Sequence, residues 1–459
     1  MKRTLIDLIR KYDKPGPRYT SYPPAPAFSN EFGAGAFTSA LGRVESSNPN
    51  PDLSLYVHVP FCDTLCYFCG CTTIITRNLD HLHTYLGYLK KEIDLLGSAV
   101  NRDRRVVQLH WGGGTPTYFN PSQILELGVH IHNAFAFRPD AEVSVEIDPR
   151  ELTPEHCDAL RDAGFRRASL GVQDFDADVQ RAVNRNQSEA TTRRAIDWIR
   201  SRGFTSLNVD LIYGLPLQTV DSFTRTLDNI IEISPDRIAV YNFAYVPWMK
   251  QQQTLIHPED LPSPEVKLEL LTTTIDMLTE AGYEYIGMDH FAKPGDELTR
   301  ARKNKTLHRN FQGYSTKAGS DLYGLGMSAI SHFDSYYAQN AKTLNEYYDA
   351  IGRGNFATHV GYRMNSDDLL RKHVIMRLMC DLSIDKREVE EAFHISFDGY
   401  FGEALQELAP LTGDGLIESS ADRLTVTMDG RLFLRNIAMC FDAHLAARRE
   451  GKMMYSRTV

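Results

Sequence analysis

Four cysteines fall within ten residues, Cys62, Cys66, Cys69 and Cys71 in VPFCDTLCYFCGC, in a chain of 459 residues that has seven cysteines in all. Thiolates are soft ligands, and a group this tight suits zinc, copper(I) or an iron–sulfur cluster. Structural zinc asks for four ligands, commonly as two C-x2-4-C pairs set apart along the chain. No second pair exists here, and Cys71, alternating with Cys69 across Gly70, points awkwardly for the same tetrahedron. Bacterial ferredoxins use C-x2-C-x2-C with a distant cysteine before proline, a pattern this chain lacks. The spacing points to an iron–sulfur cluster of another kind. Cys157, Cys380 and Cys440 stand singly in helix-like apolar segments and read as small packed hydrophobes.

The elements that must carry the cluster alternate between two periods. Short β-branched runs lie at 53–59 (LSLYVHV), 105–111, 141–147, 166–172, 205–214 and 236–245; helical patterns lie near 79–98, 121–136, 153–163, 188–202, 219–233 and 264–281. Each crossover is long enough to be right-handed, so the strands are expected to be parallel. The fold class is α/β, a partial (β/α)6 barrel. After the six strands come the cysteines, WGGGTPT, EIDPRE, GVQDF, DLIYGLP and NFAYVP, all at C-terminal strand ends, which converge on one face. The glycines at 112–114 would let a ligand approach the backbone and leave backbone groups free to pair with it. Glu146, Gln173 and Asp210 end three strands and read as ligand contacts, with helix capping as the alternative and as the reading of Asp148. His58 and His110, inside strands, read as supporting groups.

The remaining composition narrows function. With 50 Lys+Arg against 59 Asp+Glu and a pI near 5.9, the chain lacks the basic excess of a nucleic-acid binder. No apolar run approaches the roughly 20 residues that span a bilayer. Asp7, Arg10, Lys11 and Asp13 interrupt any signal core, so a cytoplasmic protein with reduced thiols is expected. Three units are read: residues 1–50, an N-terminal arm that would gate substrate; 51–350, the barrel with long covering loops at 246–263 and 289–320; and 351–459, a mainly helical, winged-helix-like cap.

The pattern C-x3-C-x2-C after a first strand, with aromatic Phe68 before the third cysteine, resembles the radical S-adenosylmethionine (SAM) superfamily. The resemblance implies that Cys62, Cys66 and Cys69 hold three irons of a [4Fe–4S] cluster and that SAM completes the fourth. One electron would then cleave SAM to methionine and a 5′-deoxyadenosyl radical. Beyond this core, PGPRYTSYP (15–23), SLYVHVPFC (54–62), QLHWGGGTPTY (108–118), VEIDPRE (145–151), NVDLIYGLPLQT (208–219), HRNFQGY (308–314) and AQN (338–340) resemble the oxygen-independent coproporphyrinogen III oxidase family over nearly the whole chain.

That resemblance implies an oxidoreductase of haem and porphyrin biosynthesis that decarboxylates two propionates of coproporphyrinogen III to the vinyl groups of protoporphyrinogen IX. Hydrogen would be taken from the propionate carbon next to the ring. Positions carried over for the cluster-bound SAM are Tyr56, Gly113, Glu146 and Ile330; for a second SAM they are Phe68, Gly114, Thr115, Gln173, Arg185, Asp210 and Ala244, with Arg185 clamping a carboxylate. Cys71 matches a fourth cysteine that is not a ligand, and reads either as a packed thiol or as a relay near substrate. Arg18, Tyr19 and Tyr22 would offer a cation and aromatic faces to the tetrapyrrole. A flavodoxin- or ferredoxin-like electron donor, a separate acceptor and a monomeric enzyme are expected. The other readings are a related haem-trafficking protein, which has Phe where Cys71 stands and lacks the PGPRYTSYP arm, and a non-catalytic haem or iron–sulfur module.

Overall fold

The computed structural model describes residues 4–47, 52–446 and 455–458; the outer parts of the 1–50 arm and of the 351–459 segment lie outside the described residues. Strands β1 (Asp52–Val59), β2 (Arg105–Gly113), β3 (Phe137–Ile147), β4 (Arg167–Gln173), β5 (Ser206–Tyr213) and β6 (Arg237–Asn242) lie side by side in that order, all parallel. Helices Leu79–Ala99, Pro121–Ala134, Pro154–Asp162, Glu189–Ser201, Val220–Ile233 and Pro264–Glu280 follow them in turn. Each starts at a side-chain cap, on Asn78, Asn120, Thr153, Ser188, Thr219 and Ser263. Asp148 therefore does not cap the third of these helices, and neither Glu146 nor Asp210 caps any of them. On β1, Leu53, Leu55, Val57 and Val59 are fully buried in the main core, as a parallel strand covered by helices requires.

The sheet does not end with these six. Beyond β6 it continues antiparallel through β8 (His290–Ala292) to β7 (Glu284–Gly287). Beyond β1 it gains β9 (Asp321–Leu325), parallel to β1, and then antiparallel β10 (Ile330–Phe333), β11 (Tyr336–Asn340) and β12 (Thr358–Arg363). The segment 289–320, expected to be a covering loop, instead holds β8, a helix at Glu297–Lys303 and a hairpin, His308–Asn310 with Gly313–Ser315. That hairpin bridges the two arms of the sheet: Tyr314 meets His290 of β8 at 5.2 Å, and Phe311 meets Tyr337 of β11 at 6.0 Å. The motif AQN also has a role. Buried Glu92 accepts from Asn340 Nδ2 (2.7 Å), the Gly326 N–H (2.6 Å) and Tyr347 Oη (2.7 Å), tying the β9–β11 segment to the first helix; burial pushes Glu92 up to about 7.

A second core lies under helices Ser366–Asp381, Lys386–Phe393 and Gly402–Gly413 and a three-stranded antiparallel sheet. Because β12 pairs with β11, the main sheet runs on past residue 350 to Arg363. The N-terminal helix Leu5–Tyr12 sends Leu8 and Ile9 into the second core, and Tyr19 and Tyr22 follow. This corrects the reading of those tyrosines as faces offered to a tetrapyrrole: both are buried, Tyr19 donating to Asp442 (2.9 Å) and Tyr22 accepting from the Ala443 N–H (3.1 Å). Arg435 draws the arm in by donating to the carbonyls of Gly16, Pro17 and Arg457. Arg18 reaches the barrel, donating to the Asn242 carbonyl at the end of β6 (2.9 Å). Among the described residues no helix is long and apolar enough to cross a membrane.

Candidate active site

The loop after β1 carries all four clustered cysteines and is clamped from outside. The Tyr67 N–H donates to the Val183 carbonyl (3.0 Å) and Asn184 Nδ2 to that of Leu65 (2.8 Å). From the 246–263 segment, Lys250, Gln252 and Gln253 donate to the carbonyls of Cys71 (2.9 Å), Cys69 (2.6 Å) and Phe68 (3.4 Å). Sequence reading placed a functional loop there without naming these residues; the run QQQ was the visible signal.

Inside that clamp a cavity of about 320 Å³ is lined by Cys62, Cys66, Phe68, Cys69, Cys71, Gly113, Gly114, Thr115, Glu146, Gln173, Arg185 and Asp210. Three of the expected contacts, Tyr56, Ala244 and Ile330, lie outside this lining. Tyr56 Oη bonds His58 Nδ1 (3.0 Å), the Ala244 carbonyl accepts from Gln253 (3.0 Å), and Ile330 pairs with Gln339 between β10 and β11.

The thiols have distinct surroundings. Cys62 Sγ lies 3.4 Å from Thr115 Oγ1, and burial pushes its thiol up to about 12, so it would ionise only against a cationic centre. Buried Cys66 accepts from Arg185 Nη1 (3.6 Å) and Arg150 Nη2 (3.7 Å). The Cys71 thiol hydrogen-bonds Cys69 and brings it down to about 6. Among the described residues no three His, Cys, Asp or Glu side chains are placed to hold a single metal ion. The disposition suits ligands that each take a separate iron of a cluster better than a zinc tetrahedron.

The glycine strand works differently from the expectation. Its N–H groups are not free: Gly113 donates to Glu146 Oε2 (3.1 Å), Gly114 to the Val59 carbonyl (2.8 Å) and Thr115 to that of Phe61 (2.9 Å). The glycines allow close approach within the protein itself. A Cβ on Gly114 would sit 2.7 Å from the Phe61 carbonyl oxygen, and one on Gly113, at φ +116°, would sit 2.6 Å from the His58 ring. His58 is held by Tyr56 and by the Thr72 carbonyl (3.0 Å), and His110 by Ser144 (2.7 Å) and Glu146 (3.2 Å), so both are positioning groups as read.

Two acids at the strand ends are driven apart. Burial raises Glu146, but His110 and the Gly113 N–H outweigh it and hold the carboxyl below its ordinary value. Burial, helped by the charge on Glu146, pushes Asp210 up to about 6 despite donors from Asn208 (2.8 Å) and Ser169 (3.0 Å). Gln173 is held at φ +72°, a strained setting typical of ligand sites.

Sequence reasoning missed Asp148 and Arg150, both in this wall. Asp148 pairs with Arg150 Nη2 (2.6 Å) and Arg185 Nη1 (3.2 Å), and both guanidinia lean on Cys66. Burial alone would raise Asp148; the two arginines outweigh it and bring it down to about 2. The fork of Arg185 is therefore largely committed, with Nη2 on the Gly171 carbonyl (2.6 Å), and buried Nε has no hydrogen-bond partner among the described residues. Three thiols, an orphaned guanidinium N–H and the strand-end carboxylates of Glu146 and Asp210 around one cavity fit a cluster bearing an amino-acid-like ligand.

Parallel βα units whose first loop sets three cysteines against a glycine strand and acid-tipped strands define a radical SAM protein. Residues 56–230 match the family model of the radical SAM superfamily, and residues 364–433 that of the HemN C-terminal domain. The chain is 47% identical over 455 residues to the oxygen-independent coproporphyrinogen III oxidase of Escherichia coli (strain K12), covering 99% of this chain and 98% of the other. Against the enzyme of the same name from Synechocystis sp. it is 45% identical over 457 residues, with 99% and 97% covered. Among solved structures, coproporphyrinogen III oxidase (HemN) from Escherichia coli, described as a radical SAM enzyme, superimposes with a TM-score of 0.90 at 46% identity, covering 96% of this chain and 98% of that one. The chain belongs to the oxygen-independent coproporphyrinogen III oxidase family. Its cofactors are accordingly a [4Fe–4S] cluster and SAM.

Proposed function

We propose that this protein decarboxylates two propionates of coproporphyrinogen III to vinyl groups, giving protoporphyrinogen IX without oxygen. The observation that carries the reading is the single cavity where Cys62, Cys66 and Cys69 face Glu146, Arg185 and Asp210. Cys62, Cys66 and Cys69 would hold the cluster. Bound there, a [4Fe–4S] cluster with SAM supplies one-electron cleavage of the sulfonium and a carbon radical able to take hydrogen from the propionate carbon next to the ring.

The chain's own groups bind, orient and shield. Arg150 and Arg185 keep positive charge at Cys66, and Asp148 fixes both. Glu146 and the Gly113 backbone would take one SAM, with Tyr56 acting through His58 and Ile330 from β10. Phe68, Gly114, Thr115, Gln173, Arg185, Asp210 and Ala244 would take the second, Arg185 offering Nε to a carboxylate. Cys71, hydrogen-bonded to Cys69 on the loop, would relay hydrogen or an electron to substrate. Phe68, Ile75 and Ile147 give the cavity its apolar wall.

The arm over residues 1–50 would reach the barrel mouth through Arg18, and the second core would serve as a cap. The acidic charge balance argues against a nucleic-acid partner; the enzyme would act as a cytoplasmic monomer served by a flavodoxin- or ferredoxin-like donor and a separate acceptor. Anaerobically reconstituted protein given reductant, SAM and coproporphyrinogen III is expected to yield 5′-deoxyadenosine and protoporphyrinogen IX. SAM cleavage without a vinyl product would leave the enzyme class standing and remove the substrate.

A further inference from the structure

Arg309 lies in the first strand of the hairpin that bridges the two arms of the sheet, 4% exposed. Its guanidinium rests against the Tyr314 ring, 4.8 Å from the centroid, and its Nε and Nη1 have no hydrogen-bond partner among the described residues. Two more buried nitrogens nearby are also without partners, Gln312 Nε2 and His290 Nδ1. The His290 ring stands edge-on to Tyr314 (5.2 Å) and to Tyr241 (5.9 Å). His290, Gln312, Tyr314 and Tyr241 line an inner cavity of about 130 Å³, which shares Glu146, Ser169, Asp210 and Tyr241 with the wall of the cysteine-lined cavity.

The acids of that inner cavity are already engaged. Glu142 is held by Arg167 (3.1 Å) and Gln108 (3.0 Å), Glu146 by His110 and Gly113, and Asp210 by Asn208 and Ser169. Arg237, which also faces the cavity, is paired through Nε with Asp296 (2.9 Å), and its Nη2, 3.8 Å from Glu297, makes no hydrogen bond among the described residues. Asp289, next to His290, has an oxygen 3.7 Å from Arg18, and among the described residues it makes no ion pair with Arg309. A buried cation left with an aromatic face and no anion is costly. The group that completes it is a carboxylate, which a guanidinium holds through two parallel N–H bonds.

We propose that Arg309, beside Gln312 and His290, receives one propionate carboxylate of the tetrapyrrole and so sets which edge of the macrocycle faces the cysteine-lined cavity. The inner cavity, about 130 Å³, is too small for a macrocycle and has room for a propionate arm; Gln312, His290 and Tyr314 line it, and Arg309 would be reached past the Tyr314 ring it rests against. The inference rests on the substrate reading above, and on a different observation, the unpaired donors.

The test is equilibrium binding of coproporphyrin III, the oxidised and unreactive macrocycle with the same four propionates, to reconstituted holoenzyme, read by fluorescence. Arg309→Met is expected to raise Kd about 10- to 100-fold, the range of a lost charge-assisted hydrogen bond, and Arg309→Lys to restore part of it. Iron content and thermal melting identify folded variants; if the Met variant loses its cluster, Arg309→Gln replaces it. An uncharged variant that binds within twofold of wild type overturns the proposal, as does an equal loss in the Lys and uncharged variants. Absence of binding by the wild-type protein overturns the substrate reading and this inference with it.

Discussion

Replacing Asp148 by asparagine keeps the shape of the side chain and removes the charge that two arginines share. Its side chain is 11% exposed, with Arg150 at 14% and Arg185 at 8%, so solvent screens the triad little. Bringing the carboxyl from an ordinary 3.8 down to about 2 corresponds to about 2.5 kcal/mol, at the ~1.4 kcal/mol that each tenfold in proton affinity represents. Removing one partner of a buried ion pair costs about 3–5 kcal/mol in other proteins. Asparagine retains an acceptor for the Arg150 N–H (3.1 Å), so the lower end, about 2.5–3.5 kcal/mol, is expected. At about 2 °C per kcal/mol for a unit of this size, the melting temperature of the anaerobic protein should fall by about 5–7 °C at pH 7. The sign with pH follows from a depressed folded-state value: the stabilisation is complete above pH 4 and is lost as pH falls through about 2. Melting by near-UV circular dichroism, with SAM binding by equilibrium dialysis, reads both arms of the argument. An asparagine variant that melts within 1 °C of wild type and binds SAM equally well would refute it.

Three further outcomes follow. Gly113→Ala must place a Cβ 2.6 Å from a His58 ring held at both nitrogens, at φ +116°, so a loss of about 3 kcal/mol and of most iron loading is expected by calorimetry and iron analysis. Asp210 changes charge near pH 6; if the ionised form contacts SAM, affinity is full above that pH and falls below it, whereas Asp210→Asn binds weakly with no such inflection in a dialysis series from pH 5 to 8. Cys71→Ser is expected to keep the iron content and lose most turnover, and loss of the cluster in that variant would make Cys71 a ligand.

What could be read from the sequence was set by the length of each signal. Strands β1 to β6 stood out because each is a run of six residues or more between helices with their own caps. Strands β7 and β8 and the two strands of the hairpin at 308–315 are only three or four residues long, too short for alternation to show, and 289–320 looked like loop. Tyr19 and Tyr22 looked exposed because their burial depends on Arg435 and Asp442, more than 400 residues away in the chain. Twelve of the fifteen expected site residues share one cavity because cysteines, glycines and strand-end acids are marked by type and place. Asp148 escaped because an acid before proline and a helix looks like a cap, a role Thr153 takes instead. The glycines stood out as a close-approach site; that they also admit His58 and the cysteine loop depends on the pairing of β1 with β2, which their own spacing does not reveal.

The central claim is that this cavity directs hydrogen removal from a propionate carbon of the tetrapyrrole. Coproporphyrinogen III carrying deuterium on the propionate carbons next to the ring, turned over once by the reconstituted protein, tests it most directly by mass spectrometry of the nucleoside product. The account predicts one deuterium in the 5′-deoxyadenosine and a vinyl group formed. Unlabelled 5′-deoxyadenosine alongside a vinyl product would contradict it.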